Sequence, residues 1–136
     1  MLLPFQILNQ KKIYKNKIKK EKQNFNSLDL EQNIDILSYL GKNNKLKPKL
    51  LVGFSAETEN LIRNATKKMN EKYCDIMIAN DVSRKDTGFN VDYNKISIIT
   101  KDGKNKSIPK NKKSYIASKI AKKIIDNFLI NDKNTN

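Results

Sequence analysis

Two short polar stretches occupy matching places behind two apolar runs. "LLVGF" (Leu50 to Phe54) is followed by Ser55, Ala56, Glu57 and Thr58, and "DIMIA" (Asp75 to Ala79) by Asn80, Asp81, Val82 and Ser83. Hydroxyls, a carboxamide and carboxylates are the groups that hold a polar ligand. In an open parallel sheet such ligands gather at the carboxyl ends of the strands. The same residues also suit ordinary turn and capping chemistry, and the pattern alone leaves the two readings level. Between the runs, Lys68 and Lys72 stand four residues apart, so one helix face would present both ammonium groups.

Other chemistries are excluded by composition. Histidine is absent and Cys74 is the only cysteine, which removes His-based triads, intrachain disulfides and the commonest zinc sites; no metal-ligating set is expected. Cys74, between Tyr73 and "IMIA", reads as a buried structural thiol. These absences fit a reducing cytosol, so the expected location is cytoplasmic. "MLLPFQIL" contains Pro4, lacks the flanks of a signal peptide and is too short to span a bilayer. The 28 Lys plus Arg against 14 Asp plus Glu give a formal charge of +14, and polyanions are obvious partners for such a chain. Only Arg63 and Arg84 are arginines, however, and Asn occurs 19 times, so a coding bias toward Lys and Asn accounts for the excess without any ligand.

The elements that must position the polar stretches can be read from the apolar pattern. At 136 residues the chain fits one domain. "KNKIKKEK" (Lys15 to Lys22) is a charge run. An extended piece near Phe25 to Leu28 leads to a helix with Asn33 as its N-cap and its end near Gly41. "LLVGF" has strand length. Thr58 can cap a helix on which Leu61, Ile62, Ala65 and Met69 recur at helical spacing, and "DIMIA" is a second strand. Strand, helix and strand within about thirty residues is the arithmetic of a right-handed βαβ unit. "RKDTGFNVDYN" reads as a loop, "KISIIT" and "KNKSIP" as a hairpin turning at Asp102 and Gly103, and "KKSYIASKIAKKIIDNFL" as an amphipathic helix with Ile116, Ile120, Ile124 and Phe128 on one stripe. The expected fold class is α/β: a Rossmann-like three-layer fragment with a mixed sheet, a βαβ core, a β-hairpin and a C-terminal helix.

"VGFSAET", "IANDVS" and "GFNVDYN", in that order and spacing, closely resemble the C-terminal half of bacterial phosphopantothenoylcysteine synthetase, the CTP-dependent phosphopantothenate–cysteine ligase of coenzyme A synthesis. "KIKK" at Lys17 to Lys20 and "NIDIL" at Asn33 to Leu37 fall where that family has "KIKK" and "NPDIL". The resemblance covers about residues 15 to 129, leaving 1–14 as a divergent segment and 130–136 as a polar tail. It implies activation of the carboxylate of 4′-phosphopantothenate by CTP with Mg²⁺, giving an acyl-cytidylate and pyrophosphate, followed by displacement of CMP by the amine of cysteine.

Residue by residue, the resemblance implies that Lys17 contacts CTP, that Asn33, Ile34, Asp35 and Ile36 meet the nucleotide at a helix start, that Phe54 is a nucleotide-contacting aromatic, and that Lys68 and Lys72 are two basic nucleotide contacts. Ile34 departs from the family's proline. Asn80, Asp81 and Ser83 would shape the site or its loop. The family's Gly-rich first turn, its "SSGxMG"-like segment with a reacting asparagine and the aspartate of "ADYRP" have no counterpart in these 136 residues, so no catalytic residue is assigned. The expectation is a partial synthetase that is inactive alone, either a split-enzyme subunit joined by a separately encoded N-terminal half or a decayed remnant, with the family's dimer contacts adding self-association. The alternative is a lysine-rich nucleic-acid-binding module, disfavoured by dispersed lysines and scarce arginine.

Overall fold

A computed structural model describes residues 8–10, 30–83 and 91–133, and the chain divides into two units, Met1–Asp35 and Ile36–Asn136. In the first, β1 (Leu8–Gln10) pairs antiparallel with β2 (Leu30–Gln32), Asn9 opposite Glu31. The charge run with Lys17, the extended piece at Phe25 to Leu28, and residues 84–90 of the expected loop lie outside the described residues.

The second unit carries α1 (Ile36–Lys42), β3 (Val52–Glu57), α2 (Leu61–Glu71), β4 (Ile76–Asp81), β5 (Tyr93–Thr100), β6 (Asn105–Lys112) and α3 (Lys113–Lys133). The strands form one mixed sheet in the order β3-β4-β5-β6. β3 and β4 are parallel, while β4 with β5 and β5 with β6 are antiparallel. The expected βαβ unit, hairpin and final helix are all present.

Strand β4 explains its own apolar run. Ile76, Met77, Ile78 and Ala79 are all buried because the strand is central and covered on both faces. Met77 and Ala79 join Leu51, Ala65, Met69 and Ile99 under α2, with Leu37 and Leu40 of α1 packed against them. Ile76 and Ile78 join Ile96, Ile98, Ile108 and Ile116 beneath α3. Helices α1 and α2 therefore cover one face and α3 the other, which makes the three layers. The hairpin turn holds Gly103 at φ 81, the left-handed conformation that favours glycine.

Two local expectations are corrected. Helix α2 is N-capped by Asn60, itself left-handed at φ 47 and making no side-chain cap bond, rather than by Thr58, because β3 runs on through Glu57 and bend residues intervene. Asn33 does not cap α1, which begins three residues later at Ile36. Helix α1 ends at Lys42, near Gly41 as expected, with Gly41 in its last turn. Gly41 is buried there, and a Cβ at this position would fall onto the carbonyl oxygen of Lys72 and within 3.1 Å of the Tyr73 Cβ. The glycine permits α1 to cross the end of α2 at backbone contact.

That end of α2 is built as a Schellman motif. Tyr73 sits left-handed at φ 56, its N–H donates to the Asn70 carbonyl at 3.2 Å, and the Cys74 N–H donates to the Met69 carbonyl at 3.0 Å. Asp75 then fixes the start of β3, accepting the Leu51 N–H on Oδ2 at 2.8 Å, with Lys47 Nζ 3.8 Å from its Oδ1. No helix among the described residues is long and apolar enough to cross a membrane.

Candidate functional site

The carboxyl ends of β3 and β4 bring the two polar stretches side by side. Ala56 is the register partner of Asn80, and Glu57 that of Asp81. Side chains alternate along a strand, so Gly53, Ser55 and Glu57 turn toward α2 and are buried, while Phe54 and Ala56 turn to the opposite face.

Glu57 is a carboxylate at an inward position, and the chain supplies a cation for it. Lys68, on the third turn of α2, donates from Nζ to Glu57 Oε1 at 2.7 Å. Burying an ionised carboxylate is tolerated when it is paired and hydrogen-bonded. Beside it, Asp81 accepts the Ser83 hydroxyl at 2.6 Å and the Ser83 N–H at 3.2 Å, and Lys95 Nζ lies 3.9 Å from its other oxygen. Two like charges on adjacent strands are thereby each matched by a lysine from a neighbouring element. Two buried polar atoms at the same strand ends, Ser55 Oγ and Asn80 Oδ1, find no hydrogen-bond partner among the described residues. Ser55 lies on the α2 face with Lys68, whereas Asn80, the register partner of Ala56, lies on the opposite face, so the α2 face of this edge can offer an incoming ligand an oriented ammonium beside a hydroxyl.

The residues expected to contact nucleotide are distributed unevenly. Lys68 stands at the strand-end corner. Lys72 is the C-cap of α2; its N–H donates to the Lys68 carbonyl at 3.0 Å, which preserves the helical spacing between the two lysines. Ile36 opens α1 on the same sheet face and is 59% exposed. Phe54 is 48% exposed but belongs to the other face, so its ring does not share a surface with Lys68. Asn33, Ile34 and Asp35 are exposed and belong to the first unit, and Lys17 lies outside the described residues. No cluster of three or more Cys, Asp or Glu side chains that could hold a metal ion occurs among the described residues.

Sequence reading named Glu57 as a strand-end residue without a role, and gave Asp81 only the shaping of the site or its loop. The signal for Glu57 was present: two-residue alternation from buried Gly53 turns it inward, and an inward carboxylate demands a partner. Which lysine would answer was not readable, because the contact joins a strand to the third turn of the following helix.

Residues 8–128 match the family described as the DNA/pantothenate metabolism flavoprotein C-terminal domain. The chain is 36% identical over 114 residues to the coenzyme A biosynthesis bifunctional protein CoaBC of Bacillus subtilis, a match covering 84% of this chain and 27% of that protein. It is 39% identical over 113 residues to the protein of the same name from Borreliella burgdorferi, covering 82% of this chain and 27% of the relative. The chain thus spans about a quarter of the length of these curated relatives. Among solved structures, the C-terminal domain of a coenzyme A biosynthesis bifunctional protein CoaBC superposes with a TM-score of 0.57 at 37% identity, covering 71% of this chain and 43% of that one. A DNA/pantothenate metabolism flavoprotein from Streptococcus pneumoniae shares the fold, with a TM-score of 0.56 at 22% identity over 74% of this chain and 42% of its own. With nearly the whole sequence matched in register, the chain belongs to the DNA/pantothenate metabolism flavoprotein C-terminal domain family.

Proposed function

We propose that this chain forms the nucleotide-holding part of a CTP-dependent phosphopantothenate–cysteine ligase in coenzyme A biosynthesis. The observation that carries the reading is Lys68, held at the carboxyl edge of the parallel pair β3 and β4 in a domain of this family. The edge is the place where open α/β sheets bind ligands, and on the Lys68 face the buried Ser55 hydroxyl has no hydrogen-bond partner among the described residues.

In this reading the chain binds and orients the nucleotide. Lys68 and Lys72 provide hydrogen-bond donors from one helix, and the exposed start of α1 at Ile36 provides backbone groups. The Mg²⁺ arrives with the triphosphate, since that ion is ordinarily held by phosphates and one or two carboxylates rather than by an all-protein cage. The carboxylates of the strand-end corner are already engaged by lysines and do not form a separate metal site. The groups that position the substrate carboxylate have no counterpart in the 136 residues. They are supplied by further polypeptide, on the same chain or a separate one, and without them this segment is a remnant.

Calorimetry on the 136-residue chain tests the reading. CTP with Mg²⁺ is expected to bind in preference to ATP, and Lys68→Ala with Lys72→Ala to weaken it. Equal, strongly salt-dependent binding of CTP, ATP and random DNA would replace it with non-specific polyanion binding.

A further inference from the structure

In a chain with a formal charge of +14, the ends of β3 and β4 form a locally neutral corner. Glu57 and Asp81 contribute two carboxylates as register partners, and Lys68 and Lys95 contribute two ammonium groups at 2.7 and 3.9 Å. The Glu57 side chain is 8% exposed, whereas that of Lys68 is 42% exposed. The carboxylate is thus the buried, fixed member of the pair, and the ammonium is the member that meets solvent.

An ammonium has three N–H donors and no acceptor. Glu57 occupies one of those of Lys68, and the exposed side leaves others for a ligand. A carboxylate in contact with an ammonium also cancels most of its attraction for a third charge, since both act over nearly the same distance. A triphosphate approaching this corner would meet two carboxylates as well as the two lysines. A neutral acceptor, such as a carbonyl oxygen or ring nitrogen of a pyrimidine or a ribose hydroxyl, meets no such repulsion and keeps the full benefit of a donor fixed in direction.

We infer that Glu57 is a positioning residue that turns Lys68 from a phosphate-binding cation into an oriented hydrogen-bond donor for the nucleoside part of the nucleotide, so that the Glu57–Lys68 pair sets base preference. The inference rests on the CTP reading and refines it: the triphosphate is held by other groups, and discrimination between nucleotides resides in this pair.

The test is calorimetry of the 136-residue chain with CTP and ATP, each with Mg²⁺, and with inorganic triphosphate. The proteins compared are wild type, Lys68→Met, Glu57→Gln and the double variant. Lys68→Met is expected to weaken inorganic triphosphate only several-fold, through the carboxylate it leaves uncancelled, and to weaken CTP by about a further tenfold, the scale of one hydrogen bond from a charged donor. Glu57→Gln keeps the shape but frees the lysine's charge. It should tighten inorganic triphosphate several-fold with a steeper salt dependence, and lower the CTP-to-ATP preference about tenfold. The double variant removes the buried carboxylate together with its cation, so it retains the fold and still lacks the preference; thermal melting records the fold separately. Lys68→Met weakening inorganic triphosphate as much as CTP would overturn the inference, as would a double variant that keeps the wild-type preference. A preference that survives Glu57→Gln refutes the role of Glu57 alone, whereas a wild-type chain with no preference for CTP refutes the underlying reading and this inference with it.

Discussion

Replacing Gly41 by alanine adds one methyl group at the point where α1 meets the end of α2. The added Cβ would land on the Lys72 carbonyl oxygen, with the Lys72 carbonyl carbon at 3.0 Å and the Tyr73 Cβ at 3.1 Å. Its neighbours are backbone atoms locked in the Schellman motif, so they cannot step aside as a flexible side chain would. Overpacking of this kind costs roughly 1–3 kcal/mol, and the rigid neighbours favour the upper part of that range. Alanine in place of glycine inside a helix returns about 1 kcal/mol. The net expectation is a loss of roughly 1–2 kcal/mol. Each kcal/mol corresponds to about 3–5 °C at this chain length, so the melting temperature should fall by about 3–10 °C. Calorimetric melting measures the loss, and hydrogen exchange locates it, with amides of α1 losing protection before those of β4. An alanine variant that melts at or above wild type would refute the reasoning, because helix propensity would then be the whole effect and the close approach of α1 to α2 would not exist.

Tyr73→Gly should act in the opposite direction: it relieves a left-handed non-glycine residue whose side chain is 54% exposed, and urea unfolding should show a gain of roughly 0.5–1 kcal/mol. The carboxyl of Asp102 is held well below the usual carboxylate range, first by the hydrogen bond from the Lys104 ammonium at 2.6 Å and then by that from the Thr100 hydroxyl at 2.5 Å. A depressed value means that the turn's contribution is fully present above about pH 4 and lost only as pH falls through the folded value. The Asp102 carboxyl carbon should therefore show no titration step by NMR down to about pH 3. Cys74 is 2% exposed, so a thiol reagent should label it at the rate of opening in native buffer and at once in denaturant. The purified chain is expected not to join cysteine to phosphopantothenate, because nucleotide contacts without groups that position the carboxylate give affinity but little transition-state stabilisation. Cysteine-dependent release of CMP would contradict this.

Features that depend on nearest neighbours were legible in the sequence. "DIMIA" announced a second strand, and "KDG" announced the hairpin turn at Asp102 and Gly103. Features that depend on a third element were not. Gly41 carries the signal of a helix-ending glycine, yet its use is to admit the backbone of another helix, which no local pattern encodes. Thr58 is a good capping residue displaced by a strand that runs longer than its apolar core. For the candidate site, residue types and strand ends were readable. The pairing of Glu57 with Lys68, and the turning of Phe54 to the opposite face, follow from where β3 places its pleat against α2.

The strand order β3-β4-β5-β6 has a kinetic consequence. Every strand in this sheet lies beside its neighbour in sequence, and none must wait for a distant segment to be inserted between them. Loop closure in this unit is accordingly confined to the α2 crossover and the connections between consecutive strands. The unit can therefore acquire its topology progressively from β3 onward, during synthesis as well as in refolding, with the β5–β6 hairpin and α3 added to a βαβ unit that already exists.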